Sequence, residues 1–353
     1  MWRYYRKSAV CYNYLVDVDS NYTSVFNNTT DYESTSDLDG TADSDDTSDL
    51  DNMEVSDNTE HSASIQGTTA PIPKQLTKLL KKQIKNSRWF TRGWTLQELI
   101  APAVSNFYDV NWSYLGTADE DLLDIVLHRT GIPKAVIRAS DTLLAYTLSD
   151  YSIAEKMSWA ASRTTSREED EAYCLLGLFG VYMPMLYGEG RKAFMRLQEE
   201  IIKTSTDHSI FASRLNVDTN DTGPLFAWGP ESFFDSDCIQ ACNHDTPMES
   251  YHLNNRGLLI SLPIVGEFKP HDISAWVQVD ALLNCTWHTR LVTDRPKACI
   301  LRLRRLSNPR DGSSLPPEYA VFDRILTEDL AHIDFQKAVK NTILIRRNHE
   351  WSI

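Results

Sequence analysis

Glu98 is the carboxylate in "SRWFTRGWTLQELIAP" (87–102), a stretch with two tryptophans whose other residues suit a buried helix. Flanked by Trp94, Leu96, Leu99 and Ile100, such an acid is partly desolvated, which raises its pKa and suits it to stabilising a reacting sugar or base. A structural pair with Arg88 or Arg92 accounts for the same residue without chemistry. Spacing alone leaves both readings open.

Three further groups invite a chemical reading. Cys238, Cys242 and His244, with Cys285 and His288 downstream, have the residue types of a zinc site. The spacing Cys-x3-Cys-x-His matches no standard structural-zinc pattern, free cysteines are common in cores, and no metal is expected. "GEGRKAF" (188–194) sets two glycines before a helix start, where phosphate can bind, and a tight turn explains it equally well. "SREEDEAY" (166–173) gathers acids in a first helical turn, which the helix dipole favours without catalysis. No nucleophile elbow, Walker loop or metalloprotease helix is present.

The elements that must position these residues follow from patterning. "VCYNYLVDV" (10–18) and "VSNFYDVNW" (104–112) read as strands. Thr117 with Glu120, Ser152 with Glu155 and Ser166 with Glu169 have capping-box spacing, and Gly131 and Gly180 sit where helices end. Residues 191–204 place Phe194, Leu197 and Ile201 on one helical face. After about 205, short apolar or alternating runs recur between turn residues: "HSIFAS", "PLFAW", "RGLLISLPIV", "AWVQVDALLN", "ACILRLRRL", "YAVFD" and "NTILIRR". The chain therefore divides into 1–18 with 74–115, an insert at 19–73, a helical region at 116–204 and a mainly β domain at 205–353.

Charge sharpens that division. The 353 residues carry a formal net charge of −14, yet fourteen acids and no Lys or Arg fall between Lys7 and Lys74. The insert is expected to be disordered, because it has too few large apolar residues to offset the entropy of ordering. A basic run from Lys74 to Arg92 follows it, and the adjacent acidic tract would compete with nucleic acid for that run. Neither nucleic acid nor a membrane is expected as a partner. Six sparse cysteines fit a reducing, cytoplasmic setting, and the longest apolar run, "AYCLLGLFGVYMPMLYG", is too short and too broken to span a bilayer.

Three stretches taken together are more specific: "SRWFTRGWTLQELIAP", "SIAEKMSWAASRTTSREEDEAYCLLGLFGVYMPMLYGEGRKAFMRLQEEIIK" (152–203) and "YYRKSAVCYNYLVDV". They resemble the fungal heterokaryon-incompatibility (HET) domain and the region that follows it in vegetative-incompatibility proteins. "FAWGPESF", "NNRGLLISLPIV" and "ALLNC" resemble the extension of that family. The blocks around Ser-His-x-Trp-Gly, Trp-Ile-Asp and Cys-Ile-Asp, with which HET domains usually begin, are absent, so the chain looks like the C-terminal part of such a domain, truncated or degenerate. The fold class this implies is α/β, a partial Toll-type (TIR-like) HET domain with a helical extension, followed by a mainly β C-terminal domain.

The implied role is non-self recognition and programmed cell death, acting by interaction with other incompatibility or death-pathway proteins or by self-association. The order of strand, "SRW…WTLQELIAP" and strand is also similar to the part of TIR domains whose helical glutamate cleaves NAD. In that alternative Glu98 is catalytic and Trp94 walls the substrate site. NAD then enters as a substrate, with no resident cofactor. Missing strands would leave at most a glycohydrolase-like activity, inactive in truncated form, and an apolar sheet edge that lowers solubility.

Overall fold

The computed structural model describes residues 2–21, 76–140, 142–213, 224–242, 251–268, 278–288, 297–307, 318–329 and 339–346. The acidic insert expected to be disordered lies outside the described residues from position 22 to 75. Helix α1 (Trp2–Arg6) leads into β1 (Cys11–Tyr14). After the insert come α2 (Lys78–Asn86), a 3-10 turn (Arg88–Thr91), α3 (Thr95–Ile100), β2 (Ser105–Tyr108) and β3 (Tyr114–Thr117). Both expected strands form, shorter than the apolar runs that announced them. β1 pairs with β2 in parallel and β2 with β3 in antiparallel, in the order β1-β2-β3, so β1 is an edge strand among the described residues.

Helices α4 (Leu123–Thr130), α5 (Lys134–Ile137), α6 (Leu144–Ser149), α7 (Ile153–Ser158), α8 (Asp170–Tyr173) and α9 (Lys192–Ile202) follow. Gly131 ends α4 at φ 68°, as a left-handed cap requires, and α9 buries Phe194, Leu197 and Ile201. Of the three expected capping boxes, Ser152 with Glu155 forms, and the Ser152 hydroxyl also donates to Ile239 O, tying α7 to the next sheet. The other two do not. Thr117 closes β3 and its N–H donates to Asp121, while Glu169 turns toward Gly188 and Gly190.

In the C-terminal region, β4 (Ile239–Ala241), β5 (His252–Leu253), β6 (Gly257–Phe268), β7 (Gln278–Trp287), β8 (Lys297–Ser307), β9 (Glu318–Asp329) and β10 (Val339–Arg346) form a curled sheet in the order β4-β7-β8-β9-β10-β6-β5. β6 is long enough to pair twice. Residues 257–264 pair with β10 and 264–268 with β7, so five strands close on themselves. "HSIFAS" is not the strand its composition suggests. Asp207 caps a 3-10 turn there (His208–Phe211), and "PLFAW" is irregular.

Gly257 opens β6 at φ 152°, and a Cβ there would stand 2.0 Å from Ile345 O on β10. Gly257→Ala is therefore expected to cost about 2 kcal/mol or more by forcing the first β6–β10 pair apart, read as a lower urea midpoint. One contiguous buried cluster runs from Leu15 through the helices to Ile345, so the helical region and the curled sheet share a core. No helix of the described residues is long and apolar enough to cross a membrane.

Candidate functional site

Glu98 projects from α3, whose remaining residues except Trp94 at its cap are buried. The side chain is half-buried and accepts a hydrogen bond from Tyr5 Oη at 3.2 Å. Burial holds its carboxyl above the ordinary range, against that hydrogen bond and the positive charges of Arg92 and Arg163. Burial and the neighbouring Glu98 in turn push Tyr5 up to about 12 and Cys11 up to about 11. Arg88 pairs instead with Asp17, 3.7 Å away.

These pKa directions separate a pairing role from a strained one. Because the folded-state pKa of Glu98 is raised, its ionisation opposes folding, and the penalty is absent below the ordinary glutamate range and grows as pH rises through the folded pKa. Glu98→Gln keeps the acceptor for Tyr5 and is expected to raise stability at pH 7, with the difference vanishing toward pH 4. Urea melts of both proteins across that range test it, and a destabilised variant at pH 7 would mean that Glu98 is a structural ion-pair partner.

Glu98 faces a cleft of about 680 Å³ whose wall includes Trp94, Arg92 and all three of Tyr12, Asn13 and Tyr14 on β1. The cleft thus runs beside β1, the edge strand of the small sheet among the described residues. Glu98 itself lies toward the amino-terminal ends of β1 and β2: its carbonyl accepts from Ser105, the first residue of β2, and its charge acts on Cys11, the first of β1. In open parallel sheets ligands sit at the opposite, carboxyl ends of the strands.

Two features that composition did not single out build the surroundings. Residues 163–166 dock against 91–95: Gly93 N donates to Thr164 O at 2.9 Å and Thr164 N to Thr91 O at 2.6 Å. Buried Arg163 fixes that junction by donating to Trp159 O, Arg92 O and Thr95 Oγ1. Burial pushes its guanidinium down to about 10, so it stays charged at neutral pH. The second feature is an aromatic outer face on the small sheet. Trp112 stacks on Tyr14 at 4.9 Å and also meets Tyr108, which contacts Tyr12 and Tyr114. Trp112 is 62% exposed at φ 57°, a backbone that costs a bulky residue roughly 1–2 kcal/mol. Asp109 holds this turn by accepting from Asn111 N and Ser113 N.

The remaining candidates divide. β4 and β7 bring Cys238 opposite His288 and Cys242 opposite Asn284, and Cys285 lies buried beside Cys299. No three His, Cys, Asp or Glu side chains of the described residues converge to hold a metal, and His244 lies outside the described residues. In "GEGRKAF" the N–H groups of Gly188 and Gly190, at 2.6 and 3.1 Å, both donate to Glu169 Oε1. A carboxylate of the same chain already fills the place a phosphate would take.

No family model matches the chain, and no solved structure matches it. A stretch of 125 residues, 35% of the chain, is 45% identical to the vegetative incompatibility protein HET-E-1 of Podospora anserina. The chain spans 9% of that relative's length. That similarity supports kinship with the vegetative incompatibility proteins of fungi.

Proposed function

We propose that the protein acts in fungal vegetative (heterokaryon) incompatibility, in non-self recognition and programmed cell death, and that it acts by interaction. The likeness to HET-E-1 supports the role, and the edge of β1 beside the cleft, unpaired among the described residues, supports the mode. Cys11 N and Leu15 N donate toward β2, which leaves the amides of Tyr12 and Tyr14 directed outward by strand alternation. An extended segment of another incompatibility or death-pathway protein, or of a second copy, pairs there as an added strand, and the aromatic face supplies side-chain contacts. Induced expression of the chain in hyphae that fuse with a strain of different type tests the role. Death confined to the fused cells is expected, and unchanged viability in every pairing would contradict it.

The NAD-cleaving alternative has less support. The desolvated carboxyl of Glu98, with Trp94 in the same cleft wall, speaks for it. The position of Glu98 toward the amino-terminal ends of the strands speaks against it, because nucleotide sites draw on loops from the carboxyl ends, which this cleft reaches only at Val16 and Asp17 after β1.

A further inference from the structure

Trp94 also belongs to a second cleft, of about 610 Å³, between α1, α3, α6 and the segment after α8. That volume suits a small molecule. Gly177 makes the cleft possible: a Cβ there would stand 2.0 Å from Trp2 Cβ, so glycine lets α1 close over the 176–180 turn. Among the described residues its wall is mostly apolar and contains the cations Arg3, Arg6 and Lys156 but no Asp or Glu, in a chain of net charge −14. Lys156 is the distinctive member. Its half-buried ammonium donates to Leu148 O at 3.3 Å and lies 5.7 Å from the Phe179 ring centroid. No carboxylate of the described residues stands within ion-pairing distance of it. Burial pushes its pKa down, against the negative charges of Asp207 and Glu155. A desolvated ammonium whose nearest carboxylates act only from beyond contact is still costly, and an anion in the cleft lowers that cost.

We propose that this cleft binds a small amphiphilic carboxylate, with the head group on Lys156 and the hydrocarbon body against Trp2, Trp94, Leu148 and Phe179. Arg3, exposed on α1, adds positive potential that draws the anion in. The site is separate from the interaction reading and stands without it.

Titration of the full chain with decanoate and with decan-1-ol, both below aggregation, followed by tryptophan fluorescence and calorimetry, tests the assignment. Decanoate is expected to bind at least about tenfold more tightly than the alcohol, and Lys156→Met to bring the two affinities together without weakening the alcohol. Equal affinities, no saturable decanoate binding to folded wild-type protein, or an unchanged preference in Lys156→Met would overturn it. The comparison of the two ligands on wild-type protein needs no variant, so a poorly folding Lys156→Met still leaves a decisive result.

Discussion

Arg163→Met is expected to destabilise the protein by about 3 kcal/mol and to lower its Tm by roughly 10 °C, because the substitution breaks the junction between two distant stretches. The guanidinium donates to two backbone carbonyls and a threonine hydroxyl in a buried setting. Methionine fills much of the same volume and leaves Trp159 O without this donor, while Arg92 O keeps its hydrogen bond from Thr95 Oγ1. A buried acceptor left unpaired costs about 1–3 kcal/mol, and the bonds lost to Arg92 O and Thr95 Oγ1 add to it. One effect runs the other way: Nη2 of Arg163 is buried without a partner, and methionine removes that cost along with the buried charge. Three lost charge-assisted hydrogen bonds outweigh one relieved donor. Thermal melts of Arg163→Met and Arg163→Lys measure the effect, and a change under about 1 kcal/mol in both would show that the Gly93–Thr164 backbone pairing suffices to hold the junction.

Tyr12→Pro is expected to abolish the incompatibility response and leave the fold in place. On an edge strand a proline is tolerated where the missing N–H faces away from the neighbour, and Tyr12 sits between residues whose amides face β2. Cys11, which precedes it, is already extended, as a residue before proline must be. The folded state loses the Tyr12–Tyr108 ring contact at 5.8 Å, a loss of about 0.5–1 kcal/mol. An added strand loses more, since the proline removes one of the donors it would use and places a ring in its path. Tyr12→Ala separates the two contributions: it keeps the amide, deletes the ring, and is expected to weaken the response without abolishing it. Hyphal death scored beside the Tm of each purified variant checks both. A full response from folded Tyr12→Pro would remove strand addition at β1 from the account.

Local patterning made the individual elements legible, and contacts distant in sequence were not. The buried-helix setting of Glu98 was visible in its leucines and tryptophans, but its hydrogen-bond partner Tyr5 lies 93 residues away, and no spacing rule connects them. Arg88 was a candidate partner by proximity and goes to Asp17 instead, on the far side of the insert. The strands of the C-terminal region were readable from alternation, whereas their closure depends on β6 being long enough to pair with both β10 and β7. At "HSIFAS" local capping overrode β propensity. Asp207 accepts from Ser209 N, and His208 Nδ1 accepts from Asn284 N, so the segment coils beneath β7. Glu169 shows the same limit from the other direction, since its spacing from Ser166 suggested a cap and its carboxylate serves the glycine turn instead.

Whether the chain acts by interaction or by chemistry is tested most directly by expressing wild type, Tyr12→Pro and Glu98→Gln in fusing hyphae and measuring cell death and total NAD in the same samples. The interaction account predicts that Glu98→Gln still kills, that Tyr12→Pro does not, and that NAD does not fall ahead of death in any strain. Early loss of NAD that disappears in Glu98→Gln together with the death response, while Tyr12→Pro stays active, would contradict it.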